Sequence, residues 1–199
     1  MSQARAPKQS RSRLLATVHP NATQALEAIA FHVADVLQPH RSGEPKNMER
    51  TLVLLKPDAV QRRMMGRIIA RFEDKGLNIV AMKMLRVTQD LARQHYAEHL
   101  EKPFYPGLEQ FITAAPIVAM VVQGSDVVRV VRQLVGDTSG LNAAAGTIRG
   151  DFSVSQQKNL VHASDSQQSA AREIELFFDE QEIHDLELAL GPWLKAAHE

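Results

Sequence analysis

The stretch Glu49-Arg50-Thr51-Leu52-Val53-Leu54-Leu55-Lys56-Pro57-Asp58-Ala59-Val60 decides the architecture. Thr51 to Leu55 is a short, apolar, β-rich run, which reads as a buried strand. Lys56-Pro57-Asp58 closes it and sets a cation where the strand leaves the core. Downstream, Met64 to Lys75 repeats apolar residues at helical spacing (Met65, Ile68, Ile69, Phe72), and Gly76 stops that helix. Leu77 to Val87 is strand-like, and Thr88 caps a helix running to about Leu100. Pro103 to Thr113 gives a short helix and Pro116 to Gln123 a buried strand. Ser125 is then expected to cap a helix from Asp126 to Val135. Gly136 to Asp151 is an open stretch rich in Gly, Ala, Ser and Thr. Asn159 to His162 is a short strand, and Ser166 to Phe178 a helix. Strands and helices interleave without a strict strand–helix–strand rhythm, so the order predicts an α+β fold with helices packed on a small sheet.

Upstream the character changes. Residues 1–47 carry six basic side chains against three acids, although the chain as a whole balances 23 against 23. The first twenty-six residues hold four bases and no acid among Ser, Gln, Pro and Ala, a composition that builds no core and reads as a flexible arm. Residues 21–37 place Leu26, Ile29, Ala30, Val33, Val36 and Leu37 at the spacing of an amphipathic helix, and residues 39–47 read as a linker. An N-terminal extension, 1–47, thus precedes a domain at 48–199. Acid-poor, Arg- and Ser-containing amino termini resemble organellar transit peptides. A cytosolic tail, or a start at Met48, is the preferred reading, which makes the expected location cytoplasmic and the organellar one its alternative.

The 199 residues suffice for one domain with an appendage. The longest apolar run, Ile117 to Val122, is far short of a membrane span. Charge balance argues against a general nucleic-acid coat. The absence of cysteine removes disulfides, thiolate catalysis and cysteine metal sites.

No Walker A loop and no dinucleotide-binding glycine fingerprint is present. His95 and His99 stand four apart on one expected helix face, but no convincing third ligand accompanies them, and they read as ordinary surface histidines. Two segments differ. Lys56 stands at a strand end, and Asn159-Leu160-Val161-His162-Ala163-Ser164-Asp165-Ser166 puts a histidine at the end of a second short strand, followed by hydroxyls and a carboxylate. A lone histidine there is usually structural. Arg132, Thr138, Arg149 and Asp151 lie in or beside the open stretch, and several cations around one histidine are what phosphoryl chemistry requires, because anionic oxygens repel a nucleophile unless neutralised. Surface arginines in salt bridges are the alternative.

Residues 49–60, Gly146-Thr147-Ile148-Arg149-Gly150-Asp151-Phe152 and residues 159–166 together strongly resemble the nucleoside diphosphate kinase family, from about Met48 to Trp193. The resemblance implies a ferredoxin-like α/β sandwich with a four-stranded antiparallel sheet covered by helices. It implies ping-pong transfer of the terminal phosphoryl of a nucleoside triphosphate, typically ATP, to a diphosphate through a phosphohistidine at His162. On matching positions Glu173 orients the imidazole, Ser164 supports that carboxylate and Tyr96 lies beside the histidine. Lys56 and Asn159 match residues contacting the sugar hydroxyls, Lys56 also reaching phosphate. Arg132, Thr138 and Arg149 match those gripping phosphates, and Phe104, with Leu108 nearby, matches the base-stacking aromatic. Stacking on a π-face discriminates poorly among bases, which implies broad base specificity. Mg2+ would be held mainly by phosphates and waters, with Asp165 as a water-mediated contact. Family members are homo-oligomers, typically hexamers or tetramers.

The chain departs from the family pattern in places. His162-Ala163-Ser164-Asp165 stands where His-Gly-Ser-Asp is commoner, and Ala59 where glycine is frequent. Ser139-Gly140 follows Thr138 where Asn-Pro is common, and Ala145 replaces a proline before Gly146. Losing two prolines is expected to loosen the loop and its subunit contacts rather than the chemistry. A degenerate, non-catalytic relative would lose at least one chemical position, and here all are filled. For the arm, binding to acidic lipid, nucleic acid or a partner is open.

Overall fold

A computed structural model describes residues 48–186 and Leu194. The extension at 1–47, with its expected helix at 21–37 and linker at 39–47, lies outside the described residues. The chain divides into Met1–Glu44 and Pro45–Glu199, and everything below belongs to the second unit.

Strand β1 spans Met48–Leu55, and α1, Pro57–Gln61, follows at once with proline in its first turn, where a missing N–H costs nothing. Helix α2 is Met65–Glu73, β2 Asn78–Leu85, and α3 Gln89–His95. A single 3₁₀ turn, Ala97–His99, leads to α4, Tyr105–Thr113. Then come β3, Ile117–Ser125; α5, Val127–Val135; α6, Ile148–Phe152; β4, Val161–Ala163; and α7, Gln167–Phe177, with a last 3₁₀ turn at Glu180–Glu182. The four described strands form one sheet in the order β2-β3-β1-β4, and every neighbouring pair is antiparallel. This is the small, helix-covered sheet expected from the element order, with the four antiparallel strands that the resemblance implies.

Strand β1 explains the layering. Its residues Leu52 to Leu55 are all fully buried, yet successive side chains point to opposite faces. Val53 and Leu55 join Ile68 and Phe72 of α2 and Val127 and Val131 of α5 in one core. Leu52 and Leu54 join Ala92 of α3, Ile112 of α4 and Phe177 of α7 in the other. Helices cover both faces, so the central strand needs no polar alternation and reads as a continuous apolar run.

Caps and turns mostly follow the sequence. Gly76 leaves α2 with φ +79°, a conformation costly for any residue bearing a Cβ. The Thr88 hydroxyl accepts the Leu91 N–H and starts α3, and Ser166 caps α7 through a reciprocal box with Ser169. Four expectations need correction. The helix after Thr88 stops at His95, because the chain tightens into a 3₁₀ turn well before Leu100. Ser125 ends β3, and Asp126, at φ +50°, occupies the position before α5. The open stretch is not open to its end: Thr147 accepts the Gly150 N–H and nucleates α6. The second short strand begins at Val161, since Leu160 has φ +69° and cannot belong to a strand.

The loop that lacks two familiar prolines is tied by other means. Ser139 N–H donates to Asp137 Oδ1 (2.8 Å), and Gly140 N–H to the Ser155 carbonyl (3.2 Å). Gly140 lies so close to Ser153 that a Cβ would stand 2.4 Å from its carbonyl oxygen.

Phe72 is fully buried under the sheet. Phe72→Ala is expected to lower stability by about 3–5 kcal/mol, read as a lower urea midpoint at unchanged slope.

Candidate active site

Strand β4 pairs with β1 at Val53↔Ala163, Leu54↔His162 and Leu55↔Val161. Directly opposed residues share a sheet face, so His162 emerges on the side of Leu54, toward α3, α4 and α7. That settles a side-chain direction the short strand alone left open. His162 lies at the end of the sheet, with 21% of its side chain exposed.

Its Nε2 lies 2.8 Å from Oε2 of Glu173, which projects from α7. The Ser164 hydroxyl donates to the same Oε2 at 2.8 Å. Both Ser164 and Glu173 are buried. A carboxylate oxygen is an acceptor and takes a second donor beside the serine, so the His162 tautomer carries hydrogen on Nε2 and its lone pair on Nδ1.

The entrance to β4 is clamped to the exit of β1. The Lys56 N–H donates to the Leu160 carbonyl (2.8 Å), the Leu160 N–H to Asp58 Oδ2 (3.0 Å), and Lys56 Nζ to Asn159 Oδ1 (2.7 Å). The Asn159 amide donates in turn to the carbonyls of Thr138 (2.8 Å) and Gln156 (2.7 Å). Lys56 is buried, and burial, reinforced by Arg149, lowers its ammonium to about 8, with Asp58 pulling the other way.

The arginines behave differently from one another. Arg132, on α5, is exposed and lines a cleft with Gly136, Asp137 and Asp165. Arg149, on α6, is buried and donates to three backbone carbonyls: Asn159 (3.3 Å), Gly136 (3.0 Å) and Val161 (2.6 Å). Burial first, then the neighbouring Arg132, lowers it to about 10. Its cation therefore faces the strand entrance while tying three segments together. Thr138 is exposed in the same loop. Phe104, just before α4, is 55% exposed, with Leu108 half-buried one turn on. Asp165 accepts from the Ser169 hydroxyl at 2.6 Å, which holds its carboxyl below the usual range.

The sequence reading missed one residue. His95 is not a surface histidine: it is 4% exposed, and its ring meets that of His162 edge to face at 4.5 Å between centroids. Tyr96, the expected neighbour, stands farther off at 6.3 Å. Because α3 ends at His95, His99 does not share its helix face; it is half-buried, 5.6 Å from the Phe104 ring. Burial, then the neighbouring His162, Arg172 and Lys56, pushes His95 well below the ordinary imidazole range and keeps it neutral. Burial, then Glu173, raises the Tyr96 phenol. The inward spacing Leu91, Ala92, His95 was the available signal, since those positions share one face of a helix.

Residues 49–183 match the family model for nucleoside diphosphate kinase. The chain belongs to the nucleoside diphosphate kinase family. It is 60% identical over 152 residues to the nucleoside diphosphate kinase of Rhodopirellula baltica, an alignment covering 76% of this chain and all of that one. It is 57% identical over 141 residues to that of Methanothermobacter thermautotrophicus, covering 71% and 94%. Among solved structures it is similar to a halophilic nucleoside diphosphate kinase from Halobacterium salinarum in complex with CDP, at TM-score 0.73 and 48% identity, covering 74% of this chain and 98% of that one. The protein is thus a nucleoside diphosphate kinase, a transferase that moves a phosphoryl group between nucleotides, in a family that uses a divalent cation. No helix among the described residues is long and apolar enough to cross a membrane.

The clamp makes a testable demand. Asp58→Ala leaves the buried Leu160 N–H without an acceptor and is expected to cost about 1–3 kcal/mol, seen as a lower urea midpoint and faster exchange of the Leu160 amide.

Proposed function

We propose that this kinase transfers the phosphoryl group through Nδ1 of His162, in two half-reactions on one side chain. The observation that carries this reading is the chain Ser164 Oγ–Glu173 Oε2–His162 Nε2, with 2.8 Å at each link. In the first half-reaction the Nδ1 lone pair attacks the terminal phosphorus of a nucleoside triphosphate, typically ATP. The P–O bond to the diphosphate breaks, and the electron pair leaves with that oxygen. The ring becomes cationic, and the Glu173 carboxylate stabilises it through the Nε2–H, as a positioned acid does for other catalytic imidazoles. A nucleoside diphosphate then takes the phosphoryl by the reverse path. Glu173 cannot swing away, because Ser164 holds it and both are buried.

The remaining site residues take roles that fit their surroundings. Lys56 and Asn159 share a 2.7 Å hydrogen bond at the strand entrance and offer donors to sugar hydroxyls, with the Lys56 cation also serving phosphate. Exposed Arg132 and Thr138 are free to close on phosphates, and Arg149 contributes positive potential while fixing the loop. The outward Phe104 ring, with Leu108, is a stacking platform that accepts purines and pyrimidines alike. Tyr96 packs behind the imidazole.

For the cation, the proposal is Mg2+. Asp165 and Asp137 line the cleft beside Arg132 and offer only oxygen, the donor that a hard, largely hydrated ion accepts, Asp165 through a water. When bound, Mg2+ neutralises charge on the phosphates. Residues 48–199 act as the kinase domain and 1–47 as an accessory extension, working in the cytoplasm. The assembly is a homo-oligomer, hexamer or tetramer. In support, Met82 and Met84 are exposed (56% and 55%) on β2, which is an edge strand.

Brief exposure to Mg-ATP should raise the intact mass by one phosphoryl, and a GDP chase should remove it. His162→Ala should show no gain. A folded wild-type sample that takes no phosphoryl would sink the mechanism. Lys56 adds a pH test. A lysine lowered to about 8 is charged below that pH and neutral above it. Nucleoside diphosphate affinity, measured by calorimetry, should therefore hold steady below about 8 and fall above, and Lys56→Gln should flatten the profile. Without nucleotide the sign for folding is opposite: between about 8 and 10.5 the unfolded chain keeps a proton the folded one has shed, so stability rises with pH.

A further inference from the structure

His95 is the one buried imidazole among the described residues that phosphoryl transfer leaves without a task. Both of its nitrogens lack a hydrogen-bond partner there. An unpartnered buried polar group costs about 1–3 kcal/mol, so its persistence beside a second imidazole and a carboxylate asks for an explanation. One nitrogen of His95, one nitrogen of His162 and one oxygen of Glu173 lie within 4.8 Å of one another. Ligands around tetrahedral zinc, at about 2.0–2.2 Å from the metal, stand about 3.4 Å apart. Side-chain adjustments of roughly 1 Å would close this group on an ion. Two imidazoles with one carboxylate is a set that zinc accepts while keeping a fourth position open, and the partly exposed His162 gives it a way in. Magnesium and calcium prefer oxygen throughout and do not suit it.

We infer that His95, His162 and Glu173 bind one transition-metal ion of the zinc class when the protein is free of nucleotide and unphosphorylated, and that this ion switches the kinase off. The switch rests on His162 being the phosphoryl acceptor. Each neutral imidazole offers one lone pair; for the nitrogen of His162 that faces Glu173 to coordinate, the ring hydrogen moves from Nε2 to Nδ1, a tautomer change in which no net proton is lost. A His162 ring that has donated to a divalent cation is a poor nucleophile at either nitrogen, and in a ring phosphorylated on Nδ1 the other nitrogen, Nε2, carries the hydrogen that Glu173 accepts. Metal and phosphoryl group therefore exclude each other. Ser164 continues to donate to Oε2 of Glu173, whose second oxygen meets only Arg172, at 3.9 Å.

The test uses the full chain without nucleotide, titrated with Co2+ and followed by its visible ligand-field absorption. One Co2+ per chain is expected, displaced by Zn2+. The band should vanish when the wild type is first phosphorylated with Mg-ATP and then freed of nucleotide. It should vanish also in His95→Gln, whose folding is checked by its melting curve. In activity assays with excess Mg2+, the zinc concentration for half-inhibition should rise about tenfold or more in that variant. A band that survives both phosphorylation and His95→Gln would overturn the inference, as would no band in the wild type. A band abolished by His95→Gln in a protein that never takes a phosphoryl would uphold the metal site and refute the nucleophile, so the two failures are distinguishable.

Discussion

Strand β4 is three residues long, too short to hold the His162 side chain in place by its own ladder of hydrogen bonds. What fixes it is the clamp at its entrance, where Lys56 and Asp58 reach across about a hundred positions of chain to Asn159 and Leu160. The clamp also explains the left-handed conformation of Leu160. The backbone turns so that its carbonyl and its N–H both meet the end of β1, and its side chain fills the core. A non-glycine residue held at positive φ persists only where its surroundings over-determine it. Everything else at the site, from the aim of His162 to the carboxylate behind it, starts from where this clamp puts the strand.

The same region concentrates charge that folding alone would not choose. Lys56, Arg149 and Glu173 are all buried. Burying ionised groups is costly unless hydrogen bonds replace water, and each of these has such bonds: to Asn159, to three carbonyls, and to Ser164 and His162. The loop around Thr138 is folded into this network through Asn159 and Arg149, which join β4, α5 and the residues between. The chemical groups are thereby preorganised, and reaction does not have to wait for side chains to find their places.

Much of this was legible in the chain itself. The run Thr51 to Leu55 reads as a buried strand, and the structure makes it a central one covered on both faces, which is why it needs no polar positions. Gly76, Thr88 and Ser166 marked helix ends by local chemistry, and the structure uses all three. The failures have local causes too. The helix after Thr88 is shorter than its composition suggests, because Tyr96 to Leu100 keeps ordinary helix-compatible residues while the backbone tightens into a 3₁₀ turn. Paired with His99, His95 reads as a surface group; its position beside Leu91 and Ala92, on the inward face of α3, is what buries it.

The sequence by itself determined the order of elements, the apolar run that becomes β1 and, through its motifs, the family, since these depend on side-chain type and near-neighbour spacing. Only the tertiary structure decided which nitrogen of His162 faces Glu173, that Arg149 spends its donors on backbone carbonyls, and that His95 stands against His162. Those facts depend on distances between segments far apart in the chain. No periodicity encodes them; strand register, helix packing and the buried clamp do.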